Sequence, residues 1–240
     1  MFTREVQVAV IDGRADAAVH SAKDLPASFV TPGLVLAAVP SRADPRDALV
    51  GSTLGALPPG AVIATGSVRR RAQLAHLRPD LTFRGIRGNV PTRVEAASSV
   101  GAVPVAYAAL ERLGLTAAAA EVLDVAVLLP QVGQGALAVE CREDDVEVRA
   151  ALAAIEDPAS RLAVDTERAF LARLGAGCDA PLAALALVTG GGIELEAMVA
   201  SLDGRVLLRD RAQGTDAAIG AELADRLVGL GAELIPGLVP

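Results

Sequence analysis

Twice between Val62 and Pro91 a short apolar run breaks at a glycine-containing turn and gives way to helix-forming sequence. Val62-Ile63-Ala64 is strand-like, Thr65-Gly66-Ser67 is a turn, and Val68 to Leu77 has helical spacing. Leu81 to Ile86 reads as the next strand. Arg87-Gly88-Asn89 then turns into a helix near Pro91, a favoured first-turn position. Strands alternating with helices predict an α/β chain on a parallel sheet.

The same reading extends outward. Residues 2–11 have a helical apolar face, and Ala17 to His20 reads as a short buried strand ending in Ser21-Ala22-Lys23-Asp24. Leu34 to Val39 is a further strand, and Pro40 to Pro45 has the turn chemistry of a crossing between domains. Gly133-Gln134-Gly135 leads into a strand over Ala136 to Cys141. Helices are predicted over Asp144 to Ile155 and Pro158 to Leu174. After Gly175 three strands follow, Leu182 to Val188, Ile193 to Ser201 and Val206 to Gln213, separated by hairpin-type turns. A last helix carries Ile219, Leu223, Leu227 and Leu230, giving a small α+β tail.

Composition bears on the core and on the setting. Hydrophobic residues make up 52% of the chain but aromatic ones only 2%, so Ala, Val and Leu must fill the interior. No apolar run reaches the roughly 18 residues that span a bilayer. The most apolar stretch, Leu115 to Leu129, is broken by Glu121 and Asp124, and no apolar segment follows the basic start as a signal peptide requires. These features predict a cytoplasmic protein with no membrane contact. The two cysteines, Cys141 and Cys178, read as free thiols. A net charge of -7 argues against bulk attraction to nucleic acid.

Against that acidic background one segment is cationic. Seven arginines lie between Arg69 and Arg93, with Asp80 the only acid among them, and Lys23 is the only lysine in the chain. The segment reads either as a solvated basic helix face or as a site for a small polyanion. Helix starts at Ser67 and beyond Asn89 would add backbone N–H groups to such a site. Lys23-Asp24 reads as a surface ion pair, or as an anion-binding cation beside an acid that faces developing positive charge. Cys178, on a glycine-flanked loop, is open as a reactive or attached thiol. Cys141, in an apolar strand, reads as inert core, and His20 as a buried residue. Two histidines offer no metal constellation.

Ordered motifs carry a resemblance. Ala18-Val19-His20-Ser21-Ala22-Lys23-Asp24-Leu25-Pro26, Asp44-Pro45-Arg46-Asp47-Ala48, Thr65-Gly66-Ser67-Val68-Arg69-Arg70, Arg87-Gly88-Asn89-Val90-Pro91-Thr92-Arg93 and Pro130-Gln131-Val132-Gly133-Gln134-Gly135-Ala136 occur in one order. Glu167-Arg168-Ala169-Phe170 leading to Gly177-Cys178 completes the set. The whole resembles the hydroxymethylbilane synthase (porphobilinogen deaminase) family. The resemblance implies two α/β domains like type 2 periplasmic binding proteins, the first incomplete, plus a small C-terminal α+β domain. Their implied bounds are 1–40 with 134–153, 41–133, and 154–240.

It also implies the chemistry. Four porphobilinogen molecules would be condensed with loss of ammonia, and water would release hydroxymethylbilane in tetrapyrrole biosynthesis. The cofactor would be dipyrromethane, a thioether on Cys178. Ser21, Lys23, Thr65, Ser67, Arg69, Arg70 and Arg87 would hold its carboxylates. Arg87, Arg93 and Arg112 would hold substrate or cofactor rings, and Asp24 would be the catalytic carboxylate that contacts the pyrrole N–H groups and stabilises the cationic azafulvene-type carbon. No metal, nucleic acid or membrane partner is implied, and a monomer is expected. The alternative is a non-enzymatic anion-binding module of the same fold.

Three departures set further expectations. The family's opening strand, helix and mobile basic loop precede the position of Met1. A chain beginning there is expected to expose a sheet edge and to be unstable or inactive, from a misassigned start codon or a fragmentary gene. Gly66 stands where a second hydroxyl residue is usual. Pro104 falls in an expected strand and predicts altered geometry near Arg112.

Overall fold

The computed structural model describes residues 2–26, 31–175, 180–232 and 235. Helix α1 (Phe2–Ile11) packs on β1 (Ala17–Ser21), as its apolar spacing predicts. β1 and β2 (Leu34–Ala38) flank β8 (Leu137–Arg142), and both pairings are antiparallel. The strand between them thus arrives from about a hundred residues further along the chain. β1 is half-buried rather than buried: Ala18 and His20 face the core, while Val19 is 61% exposed.

The second group of strands follows the crossing at Pro40 to Pro45. β3 (Asp47–Val50) lies between β6 (Val103–Ala106) and β7 (Ala119–Val122), antiparallel to both. β4 (Val62–Ala64) and β5 (Thr82–Arg84) run parallel, and β4 meets the approach to β6 through Ala64 N donating to Ala102 O at 3.0 Å. The α/β class holds, but the parallel sheet read from the alternation is corrected. Among the named strands only β4 and β5 pair in parallel, because β3 and β8 enter each sheet against its direction. β5 is also shorter than the predicted Leu81 to Ile86.

Pro104 sits inside β6 without breaking it. Its carbonyl accepts from Arg70 Nη1 at 3.0 Å, so its backbone edge faces away from β3. The missing N–H is not needed in that ladder.

Local chemistry sets the helix bounds. α2 (Val68–Leu77) starts where Ser67 Oγ accepts from Arg70 N, and α3 (Val90–Ala96) where Asn89 accepts from Thr92 N. α4 (Tyr107–Arg112) follows β6. The predicted helix over Asp144 to Ile155 is α5 (Val146–Leu152) with a 3-10 turn at its end. α6 (Pro158–Leu174) is capped by Asp157, opened by Pro158, and ended by Gly175 at φ +62°. The C-terminal part is the antiparallel sheet β9 (Leu182–Thr189), β10 (Gly192–Ala200) and β11 (Leu207–Gly214), with α7 (Ala218–Gly229) packed on α6. Phe170, Leu174, Ile193, Leu195, Leu223 and Leu227 form its core. A Cβ at Gly220 would lie 2.2 Å from the Thr166 carbonyl, so glycine permits the close α6–α7 contact.

One buried carboxylate ties the parts together. Glu167 of α6 accepts from Arg42 Nη1 at 2.5 Å, Gly133 N at 2.7 Å and Ala186 N at 2.9 Å. Arg42 and Gly133 belong to the two crossing segments between the first two sheets. The C-terminal part is thereby anchored where the chain passes between them.

Candidate active site

The ends of β1, β4 and β5 and the starts of α2 and α3 surround a cleft of about 620 Å³. Asp24 and Lys23 reach it from the 3-10 turn after β1, and Ser21 from that strand's last residue. Ser67 and Arg70 come from the start of α2, and Arg87 and Arg93 from the approach to α3 and from α3 itself. A smaller recess adjoins it, lined by Lys23, Ser67, Arg69, Gln131 and Ala180 among others.

Asp24 is exposed, and no ion pair joins it to Lys23; neither side chain has a hydrogen-bond partner among the described residues. The surface-pair reading thus fails. Lys23 is half-buried, and its amine is lowered to about 8, first by burial and then by the Arg70 charge, against the pull of Asp24. Arg87 is exposed and likewise unpaired. Arg93 Nε donates to Gly88 O at 2.9 Å.

Arg69 and Arg70 are not solvated; both are buried against Asp47. Arg69 Nη2 donates to Asp47 Oδ2 at 2.8 Å and Arg70 Nη2 to Oδ1 at 2.7 Å. Arg69 Nη1 also donates to Leu129 O at 2.6 Å. Burial alone would raise the Asp47 carboxyl, but the two guanidinium groups hold it well below the usual carboxylate range. Two cations on one anion leave a net positive wall, from which Arg70 faces the cleft and Arg69 the recess.

Thr65 and Arg112 do not line the cleft. Thr65 is buried, and its Oγ1 accepts from Ser67 N at 3.1 Å, which shapes the turn. Gly66 belongs to that turn's tightness: a Cβ there would stand 3.0 Å from Ile86 O. Arg112 donates through Nη2 to Gly135 O at 2.7 Å. Cys178 lies outside the described residues. Cys141 is buried, and burial raises its thiol pKa. His20 is buried with Nε2 2.8 Å from Glu140 Oε2.

Several contributors were visible only as parts of motifs. Gly133 (φ +72°) passes so close to β1's end that a Cβ would lie 2.9 Å from Lys23 N. Gln134 donates through Nε2 to Pro45 O at 2.7 Å and to Asp47 Oδ1 at 3.0 Å. Gln131, which lines both cavities, carried no separate signal in the sequence. Together these residues make a donor-rich hollow with one exposed acid, suited to a flexible polycarboxylate.

Comparison with known proteins gives this hollow its context. Residues 1–150 match porphobilinogen deaminase, dipyromethane cofactor binding domain, and residues 161–229 match porphobilinogen deaminase, C-terminal domain. A porphobilinogen deaminase of Roseiflexus castenholzii is 47% identical over 98% of this chain and 80% of its own length. One from Acidothermus cellulolyticus is 47% identical over 97% of this chain and 74% of its own. One from Moorella thermoacetica is 46% identical over 97% and 76%. The strand and helix content is α/β over the region matched at 1–150 and α+β over the C-terminal region matched at 161–229. On the matched domains and on identity across nearly its whole length, the chain belongs to the porphobilinogen deaminase family.

Proposed function

We propose that the cleft joins porphobilinogen units beside Asp24, with the chain held by the cations around it. The family is a transferase: it condenses four porphobilinogen molecules, releases ammonia at each addition, and yields hydroxymethylbilane. The observation that carries the assignment of residues is one of charge. Asp24 stands exposed in the same cleft as the unpaired cations Lys23 and Arg87.

The donor set fits the family's dipyrromethane. Each of its rings bears an acetate and a propionate, and hydroxyls and cations are their natural counterparts. Ser21, Lys23, Ser67, Arg70 and Arg87 would hold them directly. Arg69 would act from the recess, and Thr65 by shaping the turn that presents Ser67. Bound, the cofactor supplies the free pyrrole carbon to which the first substrate is joined. Arg87 and Arg93 would orient the incoming substrate's carboxylates, while Arg112 would serve from outside the cleft.

The Asp24 carboxylate faces the positive charge that develops as ammonia leaves, and stabilises it by proximity. Cys178 would be the attachment point. Ala180, two residues further on, lines the recess beside Lys23 and Ser67. The domain bounds we propose are 1–40 with 134–153, 41–133, and 154–240. We place the protein in the cytoplasm as a monomer. Among the described residues, no helix is long and apolar enough to cross a membrane.

Intact mass tests the reading. Protein made in the presence of porphobilinogen should carry the added mass of dipyrromethane, and Cys178→Ser should lose it. An unmodified thiol on a folded, porphobilinogen-replete protein would favour the anion-binding module instead.

Lys23 gives a pH test. Its amine is cationic below about 8 and neutral above, so affinity for a pyrrole dicarboxylate should fall as pH rises through that value. Binding an anion favours the charged form, so the decline extends above 8 in the complex. Titration calorimetry from pH 6.5 to 9.5 should show this fall, and Lys23→Met should flatten it.

A further inference from the structure

Adjacent residues of a helix project about 100° apart. Arg70 borders the cleft, and its neighbour Arg71 borders a second groove of about 480 Å³. No residue lines both, so the groove is not an arm of the proposed active site.

Three elements build the groove. α2 supplies Arg71, Ala75 and His76, Phe83 lies in β5 with Leu81 just before it, and the turn between β10 and β11 supplies Asp203 to Arg205. Gly204 (φ +73°) sets that turn hard against the helix: a Cβ there would lie 2.4 Å from Ala72 O and 2.8 Å from His76 N. His76 Nδ1 lies 2.9 Å from Gly204 O. A carbonyl only accepts, so Nδ1 carries the proton and Nε2 is the ring nitrogen left for a ligand. The walls are therefore held together before anything binds.

The lining has two kinds of surface. Ala75, Leu81 and Phe83 are apolar, and a flat ring packs well on such a floor. Arg71 is exposed, and among the described residues its guanidinium has no partner. Arg205 adds a second cation from a different element. The one acid in the lining is Asp203, and it is occupied: Oδ1 accepts from Ser201 Oγ at 2.6 Å and from Arg205 N at 3.1 Å, while Oδ2 stands 3.4 Å from Arg205 Nε. The groove is thus net positive on a chain whose net charge is -7. Its size and its mixture of apolar floor and few polar groups are those of a small-molecule site. Two guanidinium groups on separate elements suit a ligand with two carboxylates.

We infer that this groove binds a single aromatic ring bearing two carboxylates, its ring on Leu81 and Phe83 and its charges on Arg71 and Arg205. The inference does not depend on the function proposed above.

The chain's two histidines make the site readable. Its proton NMR spectrum carries two imidazole Cε1–H signals, and His76→Gln identifies the one belonging to His76. Isophthalate added to the full chain should move that signal saturably, with a Kd in the millimolar range. Isophthalamide, the same ring without charge, should not move it saturably. Glutarate has two carboxylates and no ring, and should bind about threefold more weakly or worse. Arg71→Gln should weaken isophthalate about fivefold, the upper range for an exposed ion pair, and Arg71→Glu should abolish saturation. Arg71 is an exposed helix residue, so both variants should fold. Lys23→Met should leave the titration unchanged, because the cleft takes no part in it. A His76 signal that does not move would overturn the inference, as would Arg71→Gln binding as tightly as the parent. So would glutarate or isophthalamide matching isophthalate, or a shift that disappears in Lys23→Met.

Discussion

Asp47→Ala is expected to lower the unfolding free energy by about 3–5 kcal/mol, the range for removing one member of a buried charge network. The reason lies in what it leaves behind. Arg69 and Arg70 are both buried, and each gives a guanidinium nitrogen to this one carboxylate. Without it, two cations face each other in the interior, with only the Leu129 and Pro104 carbonyls as fixed partners. Gln134 also loses an acceptor. Asp47→Asn keeps the shape and part of the hydrogen bonding, and should cost less. Urea denaturation of the three proteins measures the series, and an alanine variant within 1 kcal/mol of the parent would refute it. The sign of the pH dependence follows. Pairing depresses the native carboxyl below its ordinary 3.8, so its contribution stands in full above that pH and is lost as pH falls through the lower native value.

Asp24→Ala should act on turnover, not on folding. Asp24 is exposed, and its removal breaks no hydrogen bond or ion pair among the described residues. What disappears, on the function proposed above, is the carboxylate that would face the charge left by departing ammonia. A loss of roughly 10²–10³ in kcat is expected, the scale for removing a positioned electrostatic group. Affinity for a pyrrole dicarboxylate should hold or rise slightly, because a like charge has been removed beside Lys23. Asp24→Asn should share the turnover loss, since an amide keeps the shape without the charge. A folded Asp24→Ala protein with near-parental turnover would remove Asp24 from the mechanism.

The two variants also separate what was legible in the sequence. The Asp24 role came from a motif and from its neighbour Lys23, both contiguous in the chain. The Asp47 role did not, because its partners lie 22 and 23 residues away and counted only as part of a cationic run. Charge counting registers how many arginines a segment holds. It does not register which are also paired internally, so nothing in the sequence showed that Arg69 and Arg70, besides bordering the cleft and the recess, are buried partners of one acid. Gln131 went unremarked for a related reason: a glutamine becomes notable only once the fold shows which cavities it borders.

Helix bounds were fixed by local chemistry. Caps and turns involve residues within a few positions of each other, so Ser67, Asn89, Asp157-Pro158 and Gly175 mark the ends of α2, α3 and α6 from sequence alone. Apolar spacing likewise identified β9, β10, β11 and α7. Strand direction was a different matter. Alternating strands and helices suggested a parallel sheet, but β8 enters between β1 and β2 after the chain has built the whole second sheet. Which edge a returning strand takes depends on where its apolar face finds a surface to cover, and that surface exists only in the folded molecule. The same holds for Glu167, whose partners Arg42, Gly133 and Ala186 come from three separated segments. Sequence by itself determined the family, the helices and the chemistry available. Tertiary structure decided the strand order and which charges remain free for a ligand, because both depend on contacts between residues far apart along the chain.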